Sequence, residues 1–276
     1  MAGPFSGVPV GEALASAQIA LEAAGVDTPR LDAEILLADA LGVDRTRLVL
    51  ERATPVEGPA IRAFQMAVRR RSVERVPVAY LTGSKGFRHL ELHVDQRVLI
   101  PRPDTEALVE WAVRGLPQGA RVVDVGTGSG AIALALKHER PDLEVLATDI
   151  SAEALAVAEA NARRLDLEVT FVEGDLLAGL DADAVLSNPP YVETGALLAP
   201  EITQHEPPGA LFAGADGLEL YRRLVPAIIA NRARLAGLEV GDGQAAAVRA
   251  LFSAAWETDV GRDLAGIERV VSAWRP

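Results

Sequence analysis

The sequence predicts an α/β fold: a seven-stranded, mostly parallel sheet, preceded by a small N-terminal helical bundle and a connecting β-hairpin. Three observations predict it. Arg121–Leu136, RVVDVGTGSGAIALAL, reads as a buried strand, a glycine-rich turn and a helix in immediate succession. Beyond it, strand and helix patterns alternate, which demands a parallel sheet with right-handed crossovers. The tail then offers two β-rich stretches around Asp263–Gly266, a hairpin able to insert an antiparallel strand.

Residues 10–75 carry helical periodicity and no convincing strand. Val10–Ala24 is alanine-rich and ends at Gly25. Thr28 stands as an N-cap with Pro29 at the first helical position, Leu31, Ile35, Ala38 and Leu41 share one face, and Gly42 stops the helix. Helices over Arg45–Glu51 and Pro59–Val73 complete a bundle. Arg69–Arg71 is a basic run, either a solvated helix face or a docking patch for an acidic partner.

From Pro77 the pattern turns to β. Val78–Leu81, Phe87–Val94 and Arg97–Ile100 hold β-formers punctuated by Gly83 and Gly86, and Leu90, Leu92 and Val94 alternate with Glu91 and His93. Asp104 or Thr105 can cap a helix over Thr105–Gly115. These shifts divide the chain into a helical domain (1–75), a hairpin connector (76–100) and an α/β domain (101–276). Within the last, strands follow at Glu144–Ala147, Val169–Val172, Ala184–Ser187, Leu238–Val240, Thr258–Val260 and Ile267–Trp274. Helices fall at Ser151–Leu165 with a serine cap, Leu218–Ala230 and Gln244–Ala255.

The 276 residues are 49% apolar and 24% charged, an ordinary globular composition with ample core. With no cysteine, disulfide and thiolate chemistry are excluded, which fits a cytoplasmic location. The N-terminus lacks a basic segment followed by an apolar one, and no uncharged run approaches about 18 residues, so neither a signal peptide nor a membrane span is expected. A net charge of −12 gives the wrong global field for a duplex-DNA partner.

In an open parallel sheet, ligands bind beyond the carboxyl ends of the strands. Gly126–Gly130, Asp149, Gly174-Asp175 and Asn188–Tyr191 all sit at such ends. The glycines let backbone approach a ligand, and the helix N-terminus after Gly130 suits a carboxylate or a phosphate. Gly126, Gly128 and Ala131 also satisfy the dinucleotide pattern G-x-G-x-x-G/A, so the turn alone does not separate the two classes. Asp149 can accept both ribose hydroxyls of a nucleoside, Asp175 the exocyclic amine of adenine, and Leu176 can lie against the ring. Asn188-Pro189-Pro190-Tyr191 is the sharpest signal. The prolines remove two N–H donors, so the Asn188 amide oxygen and Pro189 carbonyl can hold both hydrogens of a planar NH₂ group, with Tyr191 stacked on it.

With these residues in view, the chain resembles the class I, Rossmann-like S-adenosylmethionine-dependent methyltransferases and, more narrowly, the release factor glutamine methyltransferase family, PrmC/HemK. The likeness runs over nearly the whole chain. It is carried by Thr28–Glu34 in the helical domain, Pro77–Gly83 and Leu99–Glu106 in the connector, Asp124–Gly130, Ser187–Tyr191, Glu206-Pro207, Ala210-Leu211, Gly214 and Asp216–Leu218. The resemblance implies S-adenosyl-L-methionine as cofactor, held by Asp124, Gly126, Thr127, Gly128, Ser129, Gly130, Asp149, Asp175, Leu176 and Asn188. It implies Asn188, Pro189 and Tyr191 as catalytic residues, and these with Pro190 as the substrate-binding set. No metal is implied. The resemblance implies as substrate a glutamine side-chain amide in a peptide chain release factor; docking on the N-terminal bundle, no nucleic acid or membrane partner and a monomeric enzyme are expected with it.

One departure stands out. Where the family carries a Pro-Gly-Gly turn before the fifth strand, this chain reads Ala230–Gly237, although Leu238–Gly241 still resembles the family strand. Three rivals stay open at this level. A DNA or RNA exocyclic-amine methyltransferase needs a basic target-recognition region. A nicotinamide-binding oxidoreductase leaves Asn188–Tyr191 unexplained. A non-catalytic binding module on the same fold is the third.

Overall fold

A computed structural model describes residues 7–263 and 265–276. Residues 1–6, where the predicted helical domain begins, and Leu264, within the expected turn Asp263–Gly266, lie outside the described residues. Two units result: the residues through Gly83 together with Ala199–His205, and Ser84–Leu198 with Glu206–Pro276.

In the first unit the two-residue strands β1 (Val8–Pro9) and β2 (Pro55–Val56) pair antiparallel across the ends of a helical bundle. Its helices are α1 (Val10–Ala23), α2 (Pro29–Leu41), α3 (Arg45–Leu50), α4 (Gly58–Val73) and α5 (Val78–Thr82). Leu21, Leu36, Leu37, Leu48 and Phe64 fill its core. The buried face of α2 is wider than expected: Ala38 is buried and Leu41 packs on the core as expected, Ala33, Leu36 and Leu37 join them, and Leu31 is exposed. Asp32 also turns inward, to accept from Arg71 Nε at 2.7 Å. Thr28 does not cap the helix backbone; its hydroxyl donates to Asp32 at 2.7 Å instead. Arg71 also donates to Glu201 at 3.1 Å, and Arg75 reaches the same carboxylate at 2.7 Å. Arg71 is therefore neither a solvated face nor a docking residue; it anchors the Ala199–His205 segment in this unit.

Val78–Leu81, expected as β, is helical. Pro77 at the N-cap and Gly83 in the left-handed region (φ 70°) define one turn of helix, and these local signals outweigh the β propensity of Val78 and Tyr80.

The second unit opens with the hairpin β3 (Ser84–Phe87) and β4 (Leu90–His93). Arg97–Ile100 forms no strand, because the Asp95 side chain accepts from Arg97 N at 3.0 Å and turns the chain. A 3₁₀ turn at Pro103–Thr105 leads into α6 (Glu106–Gly115), with no capping hydrogen bond from Thr105. Then follow β5 (Arg121–Val125), α7 (Ala131–Glu139), β6 (Glu144–Asp149), α8 (Ala152–Leu165), β7 (Thr170–Glu173) and β8 (Ala184–Ser187). After α9 (Pro200–His205), the short helix of the first unit, the chain resumes with α10 (Glu219–Ala230), β9 (Leu235–Glu239), α11 (Ala245–Arg249), β10 (Glu257–Arg262) and β11 (Glu268–Trp274). Ser151 caps α8 as expected, accepting from Ala154 N at 3.1 Å. α11 stops well short of Ala255, because Leu251 and Phe252 close i→i+3 turns that tuck Phe252 against Trp256.

The sheet order is β10-β11-β9-β8-β5-β6-β7; β10, β11 and β9 pair antiparallel and the rest parallel. The predicted insertion of the closing hairpin beside β9 is the arrangement found. Along β5, Val122 and Asp124 face α6 and α7, while Val123 and Val125 face α10 and α11, so helices cover both sheet faces. The turn that lacks Pro-Gly-Gly is built by one side chain: Asn231 Nδ2 donates to Leu180 O at 2.9 Å, and its Oδ1 accepts from Ala182 N and Ala233 N. Among the described residues no helix is long and apolar enough to cross a membrane.

Candidate active site

The carboxyl ends of β5, β6, β7 and β8 open onto one cavity of about 430 Å³, within the usual range for small-molecule sites. Gly126, Gly128, Asp149, Asp175, Leu176, Asn188, Pro189 and Pro190 all line it. Gly126 and Gly128 have φ of 73° and 56°, and a Cβ at either would stand in open space. Backbone is thus what a ligand meets there.

Asp149 is held firmly at the end of β6. Its Oδ2 accepts from Gly128 N at 2.9 Å and its Oδ1 from Ser151 N at 2.9 Å. A carboxylate has about four lone-pair sites, so both oxygens keep capacity for a ligand's hydroxyls. Ile150, exposed despite its apolar side chain, adds a flat surface to the same wall. Thr148, fully buried at its side, donates to Leu176 O at 2.6 Å and ties the β6 end to the loop after β7.

Four of the predicted cofactor residues do not line the cavity; they brace the glycine turn from behind. Asp124 is buried, and its Oδ2 accepts from the Thr127 hydroxyl at 2.7 Å and Ala133 N at 3.2 Å, while Oδ1 has no partner. Burial pushes its carboxyl up to about 7, and nearby Asp149 adds to the rise. Ser129 is buried, and its carbonyl accepts from Asn161 Nδ2 at 2.9 Å. Asn161 also exchanges hydrogen bonds with the His93 backbone, clamping the hairpin to the turn. Gly130, at φ 84°, starts α7, and a Cβ there would meet Leu134 at 2.9 Å.

Asp175 lines the cavity at its rim, and its Oδ2 is paired with Arg223 while Oδ1 keeps acceptor capacity. The partner comes from α10, too far away in sequence to be foreseen.

Asn188 follows β8 directly, and its Nδ2 donates to Thr105 Oγ1 at 3.0 Å. That bond leaves the amide oxygen as the acceptor for the cavity. Tyr191 departs from expectation: it is not among the residues lining the cavity. Its hydroxyl lies 3.5 Å from Glu239 Oε1, and burial pushes the phenol up to about 12. The reason is packing, for the ring fits against Gly241, and the Tyr191 carbonyl is fixed by Gln244 Nε2 at 3.0 Å. Glu239 is wholly buried, and burial pushes it up to about 7.

The wall opposite the glycine turn comes from residues 207–213. Val192 N donates to Leu211 O and Ala213 N to Val192 O, which sets Phe212 and Ala213 beside Asn188–Pro190. Buried Glu206 fixes this segment to the connector, accepting from Arg102 at 2.6 Å and Ile100 N at 3.3 Å. Thr105, Thr148, Ile150, Phe212, Arg223 and Glu239 were not singled out for the site from sequence. Only Ile150, apolar beside a strand-end acid, carried a local signal.

The comparisons with known proteins agree on a family. Residues 12–83 match the PrmC N-terminal domain and residues 104–205 the methyltransferase small domain. A release factor glutamine methyltransferase of Mycolicibacterium smegmatis is 46% identical over 77% of this chain and 77% of its own length. One from Moorella thermoacetica is 43% identical over 96% of this chain and 98% of its own. Among solved structures, a methyltransferase from Pyrococcus furiosus matches the fold with a TM-score of 0.53 at 16% identity, over 69% of this chain and 91% of that one.

Proposed function

The chain belongs to the release factor glutamine methyltransferase family, and on that premise we propose that it methylates the side-chain amide nitrogen of a glutamine in a peptide chain release factor, giving N5-methylglutamine. The observation that carries this reading is the placement of Asn188-Pro189-Pro190 on the same cavity wall system as Gly126, Gly128 and Asp149. A nucleoside site and an acceptor site for an NH₂ group share one space.

S-adenosyl-L-methionine supplies a methyl already activated by its sulfonium and leaves as S-adenosyl-L-homocysteine. Gly126 and Gly128 would give it backbone to lie on, Asp149 would accept its ribose hydroxyls, and Ile150 and Leu176 would offer apolar surface beside them. Asp124, Thr127, Ser129 and Gly130 hold the turn in shape. Asn188 Oδ1 and the Pro189 carbonyl accept the two amide hydrogens and aim the nitrogen lone pair. As that nitrogen becomes tetrahedral and gains positive character, the same acceptors stabilise it. Its surplus proton then leaves to solvent. Tyr191 and Pro190 stiffen the strand end that presents Asn188.

The N-terminal unit is the docking surface for the release factor. Ile19, Val49, Leu50, Met66 and Val73 are large apolar side chains exposed on it, a feature of protein contact surfaces. The net charge of −12 opposes a nucleic-acid substrate. The reading includes a monomer acting in the cytoplasm.

The test offers labelled S-adenosyl-L-methionine with an intact release factor, its isolated glutamine peptide, and DNA. Intact protein should react fastest, because remote contacts align the reacting amide. Faster methylation of DNA would overturn the reading.

A further inference from the structure

The connector motif Leu99–Glu106 and the Glu of Leu238–Gly241 have so far received no chemical role, yet they meet beneath Asn188. β8 and β9 pair in parallel with Ser187 opposite Leu238, so Asn188 and Glu239 emerge level with one another. Thr105, at the end of the Pro103–Thr105 turn, stands between them: its oxygen accepts from Asn188 Nδ2 at 3.0 Å, and its hydroxyl lies beside the Glu239 carboxyl, whose buried Oε2 has no hydrogen-bond partner. A hydroxyl that accepts from the amide has its one proton to give elsewhere, and the unpartnered Glu239 oxygen is the acceptor beside it.

We propose that Glu239 is a positioning residue for methyl transfer, acting through the Thr105 hydroxyl to hold Asn188 with Nδ2 turned away from the cavity and Oδ1 presented to the substrate amide. The inference rests on the glutamine reading above. An asparagine amide is nearly the same shape either way round. Flipped, it sets its own NH₂ against the substrate's NH₂, donor to donor, and the nucleophile is misaligned. The relay removes that degeneracy, because an anionic Glu239 makes Thr105 an acceptor toward Asn188. A fully buried carboxyl is costly to fold around, which argues against its being mere filling.

The groups facing Glu239 come from four directions. Thr105 and Asp104 lie on the turn, Tyr191 beyond β8, Arg269 on β11, and Tyr221 on α10 donates to the Glu239 backbone carbonyl at 2.6 Å. Arg269 is shared with Asp104 at 2.9 Å and Asp263 at 3.1 Å. Protonation of Glu239 turns it from acceptor to donor, reverses the Thr105 hydroxyl, and releases Asn188. Buried at about 7, the carboxyl makes that change near neutrality.

The experiment uses the full chain in two arms. In the first, the Asn188 side-chain amide resonances are followed by NMR across pH, without substrate. They should titrate with a midpoint near 7 in the parent, and that step should vanish in Glu239→Gln and Thr105→Val. In the second, turnover on a release factor is measured at saturating S-adenosyl-L-methionine. Both variants should lose at least about tenfold in kcat while cofactor Kd stays within about twofold, and Thr105→Ser should recover most of the loss. A purely structural role predicts melting-temperature changes without the amide titration or the serine rescue. The proposal is overturned if the titration persists in Glu239→Gln, or if folded Thr105→Val keeps kcat within about twofold of the parent. If the parent fails to methylate any release factor, the glutamine reading falls while the first arm still decides the relay.

Discussion

Gly128 N–H donates to Asp149 Oδ2 at 2.9 Å, so the glycine turn after β5 and the acid ending β6 form one hydrogen-bonded piece. Two strand ends are thereby locked before any ligand arrives. Asp149→Ala removes both the proposed ribose acceptor and the brace. Hydrogen bonds to a charged group are worth roughly 1.5–3 kcal/mol, so affinity for S-adenosyl-L-methionine should fall by about tenfold or more. Isothermal titration of the folded variant checks this; unchanged affinity would remove Asp149 from the site.

Asn188 separates chemistry from cofactor binding. Asn188→Ala deletes the acceptor proposed to face the reacting nitrogen, and by analogy with other such losses turnover should drop on the order of 10²–10³. Cofactor affinity should change far less. Steady-state kinetics beside a binding titration reads both, and a drop confined to affinity would contradict the assignment.

Arg71 tests the tether in the first unit. Its side chain and that of Asp32 are only 7% and 6% exposed, and Glu201 completes the cluster. Arg71→Met leaves two carboxylates without their common partner, and loss of one member of a buried pair costs about 3–5 kcal/mol. Denaturant unfolding should show that loss in the transition of the helical unit. A stability unchanged from the parent would mean the cluster is solvated in solution.

Asp124 and Glu239 set a pH dependence of stability. Both are held well above their ordinary values, chiefly by burial, to about 7. Between an unfolded value near 4 and about 7 the folded state binds more protons than the unfolded chain, so stability falls as pH rises through that window. The melting temperature should therefore decrease from pH 5 to 8, and Asp124→Asn should flatten part of the slope. A melting temperature that climbs over this range would contradict the burial of the two carboxyls.

Much of this architecture could be read from the chain because its signals are local. Gly126 and Gly128 announce a tight turn, Ser151 a helix start, and Asn188-Pro189-Pro190 an acceptor-rich strand end. What escaped depends on partners distant in sequence. Nothing near Tyr191 signals that Glu239 will draw its hydroxyl inward, nothing near Asp175 foretells Arg223, and Asn188 meets Thr105 only through the register of the sheet. The burial of Asp32 on α2 likewise turns on its finding Arg71, a pairing that helical periodicity cannot express. At Val78–Thr82, a proline and a glycine one turn apart decided the outcome against β propensity.

The nitrogen of a glutamine side chain is the proposed acceptor of the methyl. Tandem mass spectrometry of a purified peptide chain release factor, incubated with this enzyme and isotopically labelled S-adenosyl-L-methionine, tests it most directly. One labelled methyl is expected on a single glutamine side-chain amide, and it should be lost with Asn188→Ala enzyme. Label on a backbone, lysine or arginine nitrogen, or on nucleic acid with none on glutamine, would contradict it.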